Sequence, residues 1–255
     1  MHRFFAPEMD AGDELVRLPR DEAEHLTRVL RLGVGDTIAV FDGRGRECLG
    51  RVAAVRRRDV DVHLLSRVDP APEPIVALTL VQAALKADKM DEVVRDAVML
   101  GVAAIQPIVT TRTETTVAGL IKSMRIERWR RVALASVKQS KRAVLPEVRT
   151  PLTLESYLGD PPAGVRFMLV EPRTEAAEAT GTAAKGTESL AAVQKQPTPS
   201  QAALIVGPEG GWAEEELSAA RAADVQLVTL GHRTLRADAV AVAAISVLQF
   251  LWGDL

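Results

Sequence analysis

The sequence is poor in the residues that define several classes of protein. It contains one cysteine (Cys48), one tyrosine and four histidines among 255 residues, and aromatic residues make up 4% of the chain. A single cysteine forms no internal disulfide and leaves no cysteine-rich metal site, and the histidines show no paired spacing. These shortages argue against a disulfide scaffold and against a metal centre. They favour a reducing cytoplasm as the compartment.

Long hydrophobic runs are also scarce. The longest, at 239–252, is shorter than the roughly 20 residues of a membrane span and contains Ser246 and Gln249. The first ten residues hold Arg3 and only a short apolar core, unlike a secretory leader. We therefore expect neither a membrane span nor a leader. Apolar residues at 47% and charged residues at 26% are typical of a soluble globular protein.

Positive charge is concentrated in a single segment. The formal net charge is −2, but residues 120–142 contain eight basic residues and one acidic residue, Glu127. An apolar stripe at helical spacing predicts a helix there, through Ile126, Trp129, Ala133 and Val137. Basic residues lie on a neighbouring face, at Arg128, Arg131, Lys138 and Arg142. Such a helix is either a solvated amphipathic helix or a surface that contacts nucleic-acid phosphates.

The chain changes character at a proline-rich segment, 69–74, which we interpret as a linker. Before it, short alternating runs predict strands at 37–41, 48–52 and 60–65, a hairpin turn at 42–45 and a helical insert at 21–30. Residues 1–70 are therefore predicted to form a small β-barrel domain.

Residues 75–255 show the alternation of strands and helices that is typical of an α/β domain. Continuous apolar runs predict buried parallel strands at 75–81, 104–109, 165–170, 203–206 and 225–230. Helices are predicted at 88–100, 214–223 and 239–251. This order predicts a mostly parallel sheet that is covered on both faces. Residues 174–200 are rich in small and polar residues and are predicted to form a flexible insertion or a weak helix.

Two loops at the ends of predicted strands carry the candidate chemistry. Residues 207–211 (Gly-Pro-Glu-Gly-Gly) lie between a strand and a helix, and glycines permit close approach of a ligand. The loop is neither a Walker loop nor a dinucleotide fingerprint, so it is either a ligand loop or a plain strand–helix turn. The loop 230–238 brings charged side chains to the carboxyl end of the sheet, namely His232, Arg233, Arg236 and Asp238. Asp238 suits an N-cap of the last helix, a catalytic carboxylate, or both.

Taken together, Gly-Pro-Glu-Gly-Gly at 207–211 and Leu-Gly-x-x-x-Leu-Arg at 230–236 resemble loops of the SPOUT methyltransferases. Further stretches resemble the RsmE family, at 25–31, 41–43, 86–90, 100–102 and 139–146. That family methylates N3 of one uridine in 16S ribosomal RNA, and the resemblance covers nearly the whole chain. It departs at 235–240, where Leu-Arg-Ala-Asp-Ala-Val stands in place of Leu-Arg-Thr-Glu-Thr-Ala and two threonine hydroxyls are lost.

The resemblance implies both a fold and an activity. The implied fold is a trefoil-knotted, mostly parallel α/β sheet preceded by a PUA-like β-barrel, and the implied assembly is a homodimer. The implied activity is methylation of 16S ribosomal RNA with S-adenosylmethionine as cofactor, and the partner is ribosomal RNA or the small ribosomal subunit. Two alternatives stay open: ribose 2′-O methylation of tRNA by another SPOUT reaction, and a non-catalytic RNA-binding protein with the same fold.

Roles for individual residues follow from the resemblance. Arg236 is expected to stabilise negative charge on the uracil, and Asp238 to assist loss of the N3 proton or to orient the base. The cofactor pocket is expected at Leu169, Val170, Gly207, Pro208, Glu209, Gly210, Gly211, Leu230, Gly231 and Leu235. RNA contacts are expected at Arg28, Arg31, Lys86, Lys89, Arg112, Lys138, Lys141 and Arg142. The arginines at 56–58 form a further basic run that is either an RNA contact or a solvated turn.

Overall fold

The computed structural model describes residues 1–57, 59–160, 163–172 and 187–255. The chain divides into two compact units. The first comprises Met1–Glu73 and Leu134–Leu145, and the second comprises Pro74–Ala133 and Pro146–Leu255. The predicted limits, 1–70 and 75–255, place one boundary at the prolines, whereas this division also assigns Leu134–Leu145 to the first unit.

The first unit is built around a five-stranded sheet in the order β1-β3-β4-β5-β2. The strands are β1 (Arg3–Phe5), β2 (Leu15–Arg17), β3 (Thr37–Phe41), β4 (Glu47–Val55) and β5 (Val60–Val68). β1 and β3 are parallel, and the other neighbours are antiparallel. The helical insert forms α1 (Arg20–Glu24) and a π-helical turn (His25–Val29), and Leu26 packs into the same core as Phe4 and Ile38. The predicted small β domain is confirmed.

Hydrogen bonds from Arg3 connect Leu134–Leu145 to the rest of the first unit. The guanidinium of Arg3 pairs with Glu47 at 2.7 Å, and only 9% and 7% of these side chains are exposed. The same guanidinium donates hydrogen bonds to the backbone carbonyls of Val137 (2.9 Å) and Arg142 (2.8 Å). Because these carbonyls lie at and beyond the end of a helix, Arg3 supplies hydrogen bonds that the helix itself does not.

The second unit contains a parallel sheet in the order β11-β13-β10-β12-β6-β7-β8, with β9 paired to β7. Its strands are β6 (Ala77–Ala83), β7 (Ala104–Val109), β8 (Glu147–Val148), β9 (Leu152–Thr153), β10 (Val165–Leu169), β11 (Glu188–Ser189), β12 (Gln201–Val206) and β13 (Gln226–Thr229). Every pairing between these described strands is parallel. The predicted mostly parallel sheet is therefore confirmed.

The remaining helices are α2 (Lys89–Met99), α3 (Val117–Lys122), α4 (Arg125–Ser140), α5 (Leu154–Gly159), α6 (Glu214–Ala222) and α7 (Ala237–Trp252). The basic segment is divided between α3 and α4, because Met124 adopts a left-handed conformation with φ of 57°. Trp129, Ala133 and Val137 are buried, as their spacing predicts. No helix in the described part of the chain is both long and apolar enough to cross a membrane.

Part of the predicted flexible insertion, 174–200, is built into the second unit. Residues 173–186 lie outside the described residues. Residues 187–200 contain β11 and a 3₁₀ helix (Leu190–Lys195), whose side chains Leu190 and Val193 are buried. The overall composition of this stretch is polar, but its two large apolar residues are three positions apart. That spacing places both side chains on one side of a 3₁₀ helix, where they can be buried.

Candidate active site

A cavity of about 310 Å³ lies in the second unit, where β10 and β12 end. Both predicted loops line it, the glycine loop (207–211) and the arginine loop (230–236). Parallel strands present their carboxyl ends at one edge of a sheet, and open α/β sheets bind ligands there. The cavity is therefore the candidate active site.

The glycine loop is held against the end of β10 by Trp212. The indole Nε1 donates a hydrogen bond to the backbone carbonyl of Leu169 at 2.7 Å. A Cβ at Gly207 would lie 3.0 Å from the indole ring, so a larger residue there would push the ring away. Gly211 has φ of 69° and its N–H donates to the carbonyl of Pro208 at 3.0 Å, which closes a tight turn.

Glu209 anchors the same loop from the other side. Its Oε1 accepts hydrogen bonds from the Lys89 ammonium (3.2 Å) and from the backbone N–H of Lys86 (3.3 Å). Burial alone raises the pKa of Glu209, but backbone hydrogen bonds and the contact with Lys89 outweigh burial and lower the pKa below its ordinary value. Glu209 is therefore an ionised anchor for the loop, with both of these donors aimed at one oxygen.

The arginine loop contributes a paired guanidinium to the cavity. Arg236 donates two hydrogen bonds to Asp238, from Nε at 3.1 Å and from Nη2 at 3.0 Å. Arg236 lines the cavity and 71% of its side chain is exposed, whereas 17% of the Asp238 side chain is exposed. Asp238 faces a different groove, between α2 and α7, beside Glu92 and Asp96.

The structure corrects the predicted N-cap. Helix α7 begins at Ala237, two residues earlier than the pattern predicts, and Arg236 occupies the N-cap position. Asp238 therefore lies inside the first turn, where a negative charge is favourable near the helix N-terminus. The N-cap interpretation of Asp238 is wrong, because Ala237 and Asp238 already belong to the helix.

Most of the predicted cofactor residues line the cavity: Leu169, Val170, Gly207, Pro208, Glu209, Gly211, Leu230 and Leu235. Gly210 and Gly231 do not. The carbonyl of Gly210 instead accepts a hydrogen bond from Arg112 Nη1 at 2.8 Å. Glu171 and Trp212 also line the cavity, but the sequence analysis does not predict them. Each directly follows a predicted cofactor residue, Val170 or Gly211, and this adjacency could have identified them.

Two predicted RNA-binding residues have structural partners. Arg142 is 4% exposed, and its guanidinium pairs with Glu73, with Nε 3.0 Å from Oε1. Lys138 pairs with the buried carboxylate of Glu22. Both pairs lie within the first unit. These ion pairs give Arg142 and Lys138 a structural role, and their contact with RNA stays a prediction. The charge count of the predicted helix does not include acidic partners that are distant in sequence.

The other predicted RNA contacts differ in how available they are. Arg28, Arg31 and Lys141 are exposed and form no ion pair among the described residues. Lys86 pairs with Glu114 at 2.5 Å, and the hydrogen bond and charge of Glu114 raise the pKa of Lys86. On α4, Arg128 pairs with Asp88 (2.8 Å), which precedes α2, and with Asp91 on α2. The basic face of α4 therefore offers fewer unpaired cations for RNA phosphates than the sequence predicts.

Comparison with known proteins defines the class. The family model described as an RNA methyltransferase domain matches residues 71–249 of the sequence. A second family model, described as an RNA methyltransferase PUA domain, matches residues 18–65. The class defined by this fold and cavity is the RNA methyltransferases with a PUA domain. Among the described residues, no cluster of three or more histidine, cysteine or carboxylate side chains is placed to hold a metal ion.

Relatives narrow the class to one family. The chain is 34% identical to the ribosomal RNA small subunit methyltransferase E of Synechocystis, and the match covers 92% of this chain and 73% of that protein. It is 30% identical to the protein of the same name from Mycobacterium bovis, and that match covers 91% of this chain and 86% of the relative. The enzyme of that name from Neisseria gonorrhoeae, bound to S-adenosylmethionine, superposes with a TM-score of 0.85 at 29% identity, covering 100% of this chain and 99% of that one. A putative methyltransferase from Legionella pneumophila with bound S-adenosylmethionine gives 0.84 at 25%, covering 97% and 96%. The chain belongs to the ribosomal RNA small subunit methyltransferase E (RsmE) family.

Proposed function

We propose that this chain transfers a methyl group from S-adenosylmethionine to N3 of one uridine in the 16S ribosomal RNA of the small ribosomal subunit. Family membership supports the RNA substrate, and S-adenosylmethionine in two similar structures supports the donor. The observation that carries the proposal is the cavity, where a glycine loop and an arginine loop meet at the carboxyl ends of parallel strands.

The residues at the cavity fit this donor. Its volume, about 310 Å³, lies within the roughly 300–1,000 Å³ that is usual for small-molecule sites. Leu169 and Leu235 offer apolar surface suited to an adenine ring, and the glycines of 207–211 leave backbone groups uncovered for its polar atoms. We infer that the donor is held by Leu169, Val170, Gly207, Pro208, Glu209, Gly211, Leu230 and Leu235, with Gly210 and Gly231 shaping the two loops.

The bound donor supplies an electrophilic methyl group on a sulfonium. Uracil N3 carries a proton, and loss of that proton leaves negative charge shared with the two neighbouring carbonyl oxygens. Arg236 is the guanidinium that we assign to those oxygens, because it lines the cavity and retains exposed N–H groups. Asp238 fixes Arg236 through two hydrogen bonds. Direct acceptance of the N3 proton by Asp238 requires its carboxylate to turn away from Arg236.

RNA is proposed to contact both units. In the first unit we assign Arg28, Arg31 and Lys141, which are exposed. In the second unit we assign Lys86, Lys89 and Arg112, which surround the glycine loop. Each phosphate contact releases counterions, so the logarithm of the RNA affinity is expected to fall linearly with the logarithm of the salt concentration.

Further features of the family extend the proposal. We infer a trefoil knot in the second unit, a homodimer in solution and a cytoplasmic location. The dimer is supported by an apolar side chain that stays uncovered on the single chain, since Phe250 of α7 is 68% exposed. Light scattering of the purified chain tests the assembly directly.

The decisive test is transfer of labelled methyl from S-adenosylmethionine to small ribosomal subunits that lack the modification, with tRNA and protein-free ribosomal RNA in parallel. We expect N3-methyluridine at a single position of 16S ribosomal RNA. A 2′-O-methylated nucleoside in tRNA would instead identify another SPOUT reaction. Absence of transfer by folded protein that also fails to bind the donor would identify a non-catalytic RNA-binding protein, and would make Asp238 and the missing threonines the cause to examine.

A further inference from the structure

Charged side chains around the cavity divide into paired and unpaired groups. Five of them line it: Lys89, Glu171, Glu209, Arg233 and Arg236. Lys89 and Glu209 pair with each other at 3.2 Å, and Arg236 pairs with Asp238 at 3.0 Å. Glu171 and Arg233 form no ion pair with any described residue. One unpaired carboxylate and one unpaired guanidinium therefore remain at the cavity wall.

These two side chains come from different segments. Glu171 follows the end of β10, and its carboxylate points towards the glycine loop, because a Cβ at Gly211 would lie 3.7 Å from Oε1. Arg233 lies in the arginine loop, two residues after Gly231, whose φ of 71° turns the chain. The sheet thus brings opposite unpaired charges from two distant parts of the sequence to one cavity.

The methyl donor has a matching charge pattern. Its nucleoside end is uncharged, while its amino-acid end carries an α-ammonium and an α-carboxylate. A carboxylate accepts from an ammonium, and a guanidinium donates to a carboxylate through charge-assisted hydrogen bonds, often two in parallel. We propose that Glu171 and Arg233 bind the amino-acid end of the donor, Glu171 through the α-ammonium and Arg233 through the α-carboxylate. This inference rests on the proposed function.

The assignment separates the tasks of two arginines in one loop. Arg236 is oriented by Asp238 and is available to the base, whereas Arg233 has no such tether and is available to the donor. Both Glu171 and Arg233 are exposed at the cavity, so their charged ends are accessible to a ligand that carries the complementary charges.

Truncation of the ligand tests this assignment without any measurement of turnover. Binding of S-adenosylmethionine, S-adenosylhomocysteine and 5′-methylthioadenosine is measured by titration calorimetry on wild type, Glu171→Gln and Arg233→Gln. Methylthioadenosine lacks the amino-acid end. We expect each variant to bind the two full-length ligands about three- to tenfold more weakly, and methylthioadenosine within about twofold of wild type, because partly exposed charge contacts have modest strength.

Matched controls separate the contact from a general loss of charge. Glu215→Gln and Arg131→Gln remove an exposed acid and an exposed base that do not line the cavity, and they should bind all three ligands as wild type does. Equal weakening of methylthioadenosine would overturn the proposal, as would unchanged binding of all three ligands. Arg233→Gln that weakens only RNA binding would move Arg233 to the RNA surface and overturn its assignment. Wild type that binds none of the ligands would overturn the proposed function itself.

Discussion

The indole Nε1 of Trp212 donates a hydrogen bond of 2.7 Å to the backbone carbonyl of Leu169. Trp212 directly follows the glycine loop, and Leu169 is the last residue of β10, so one bond joins the two segments that form a wall of the cavity. The indole also lies against Gly207, where a Cβ would be 3.0 Å from the ring. Trp212 is therefore a positioning residue for the loop.

Removal of the indole N–H should weaken donor binding by loosening the glycine loop. Trp212→Phe keeps an aromatic ring but leaves the Leu169 carbonyl without this donor, which removes about 1 kcal/mol of the free energy that holds the loop in place. Because the donor binds the loop in that position, the Kd for S-adenosylmethionine should rise by up to roughly fivefold. Trp212→Leu should bind more weakly still. Calorimetry gives the Kd. Because Trp129 and Trp252 do not line the cavity, the donor-induced change in tryptophan fluorescence should vanish in Trp212→Phe. Wild-type affinity in that variant would contradict the positioning role.

Loss of the Arg236 guanidinium should lower turnover rather than donor binding. Arg236→Ala removes the group assigned to the uracil oxygens, and loss of one such donor typically lowers kcat about 100-fold. The Kd for S-adenosylmethionine should stay within about threefold of wild type, because the assigned contact is made to the base. Arg221→Ala, on α6 and away from the cavity, is the matched control. Methyl transfer at the wild-type rate by Arg236→Ala would rule out the role.

Two substitutions at Asp238 distinguish orientation of Arg236 from proton acceptance. Asp238→Asn keeps one oxygen for Arg236 and should lower methyl transfer about tenfold without moving the pH profile, if orientation is the role. Asp238→Glu keeps the charge and should retain most of the activity. A loss of about 1,000-fold or more in Asp238→Asn, together with loss of the acidic limb of the profile, would instead make Asp238 the proton acceptor.

The local pattern of apolar and polar residues was sufficient to predict strands in both units, including a strand of the sheet that carries the cavity. The alternating run Thr37–Phe41 and the apolar run Ala104–Val109 form strands with the predicted bounds. Both loops meet at one cavity because parallel strands share a carboxyl edge, and the order of strands and helices already implies such a sheet. Glycine spacing and strand order are local or near-local properties, and they survive in the folded chain.

Partners distant in sequence were beyond that reasoning. The sequence places Arg142 and Lys138 on the basic face of one predicted helix without nearby acids. In the structure Glu73 pairs with Arg142, which lies beyond the end of α4, and Glu22 pairs with Lys138. Likewise, Asp238 belongs to the first turn of α7 because helix geometry starts at Ala237, and no residue type in the loop marks that start. Side-chain pairing depends on which elements become neighbours, and a single sequence does not specify that.

The buried pair Arg3–Glu47 should contribute strongly to stability. Glu47→Gln leaves the Arg3 guanidinium buried without its counter-charge, which typically costs about 3–5 kcal/mol. By contrast, Arg20→Ala removes an exposed pair with Glu24 and should cost less than about 1 kcal/mol. Urea unfolding of both variants, followed by circular dichroism, gives the free energies. Equal losses of unfolding free energy in the two variants would show that the buried Arg3–Glu47 pair contributes no more than an exposed pair.

The only tyrosine of the chain provides a pH probe of the second unit's core. Tyr157 is 2% exposed, and its hydroxyl has no hydrogen-bond partner among the described residues. Burial raises the pKa of Tyr157 to about 12, and the positive charges of Arg166 and Arg149 offset this only in part. Absorbance titration of tyrosinate should therefore give a midpoint near 12 in the folded protein and near 10 in urea.

The raised pKa also sets the direction of the pH dependence. Because the folded state holds the proton more tightly than the unfolded state, the stabilisation is complete below about pH 10 and is lost as pH rises towards 12. The corresponding fall in unfolding free energy is about 2–3 kcal/mol. Tyr157→Phe should abolish this component. At neutral pH it should be as stable as wild type or about 1 kcal/mol more stable, because it removes an unpaired hydroxyl. Denaturant unfolding at pH 7, 9 and 11 checks both statements, and parallel curves for the two proteins would show that Tyr157 titrates normally.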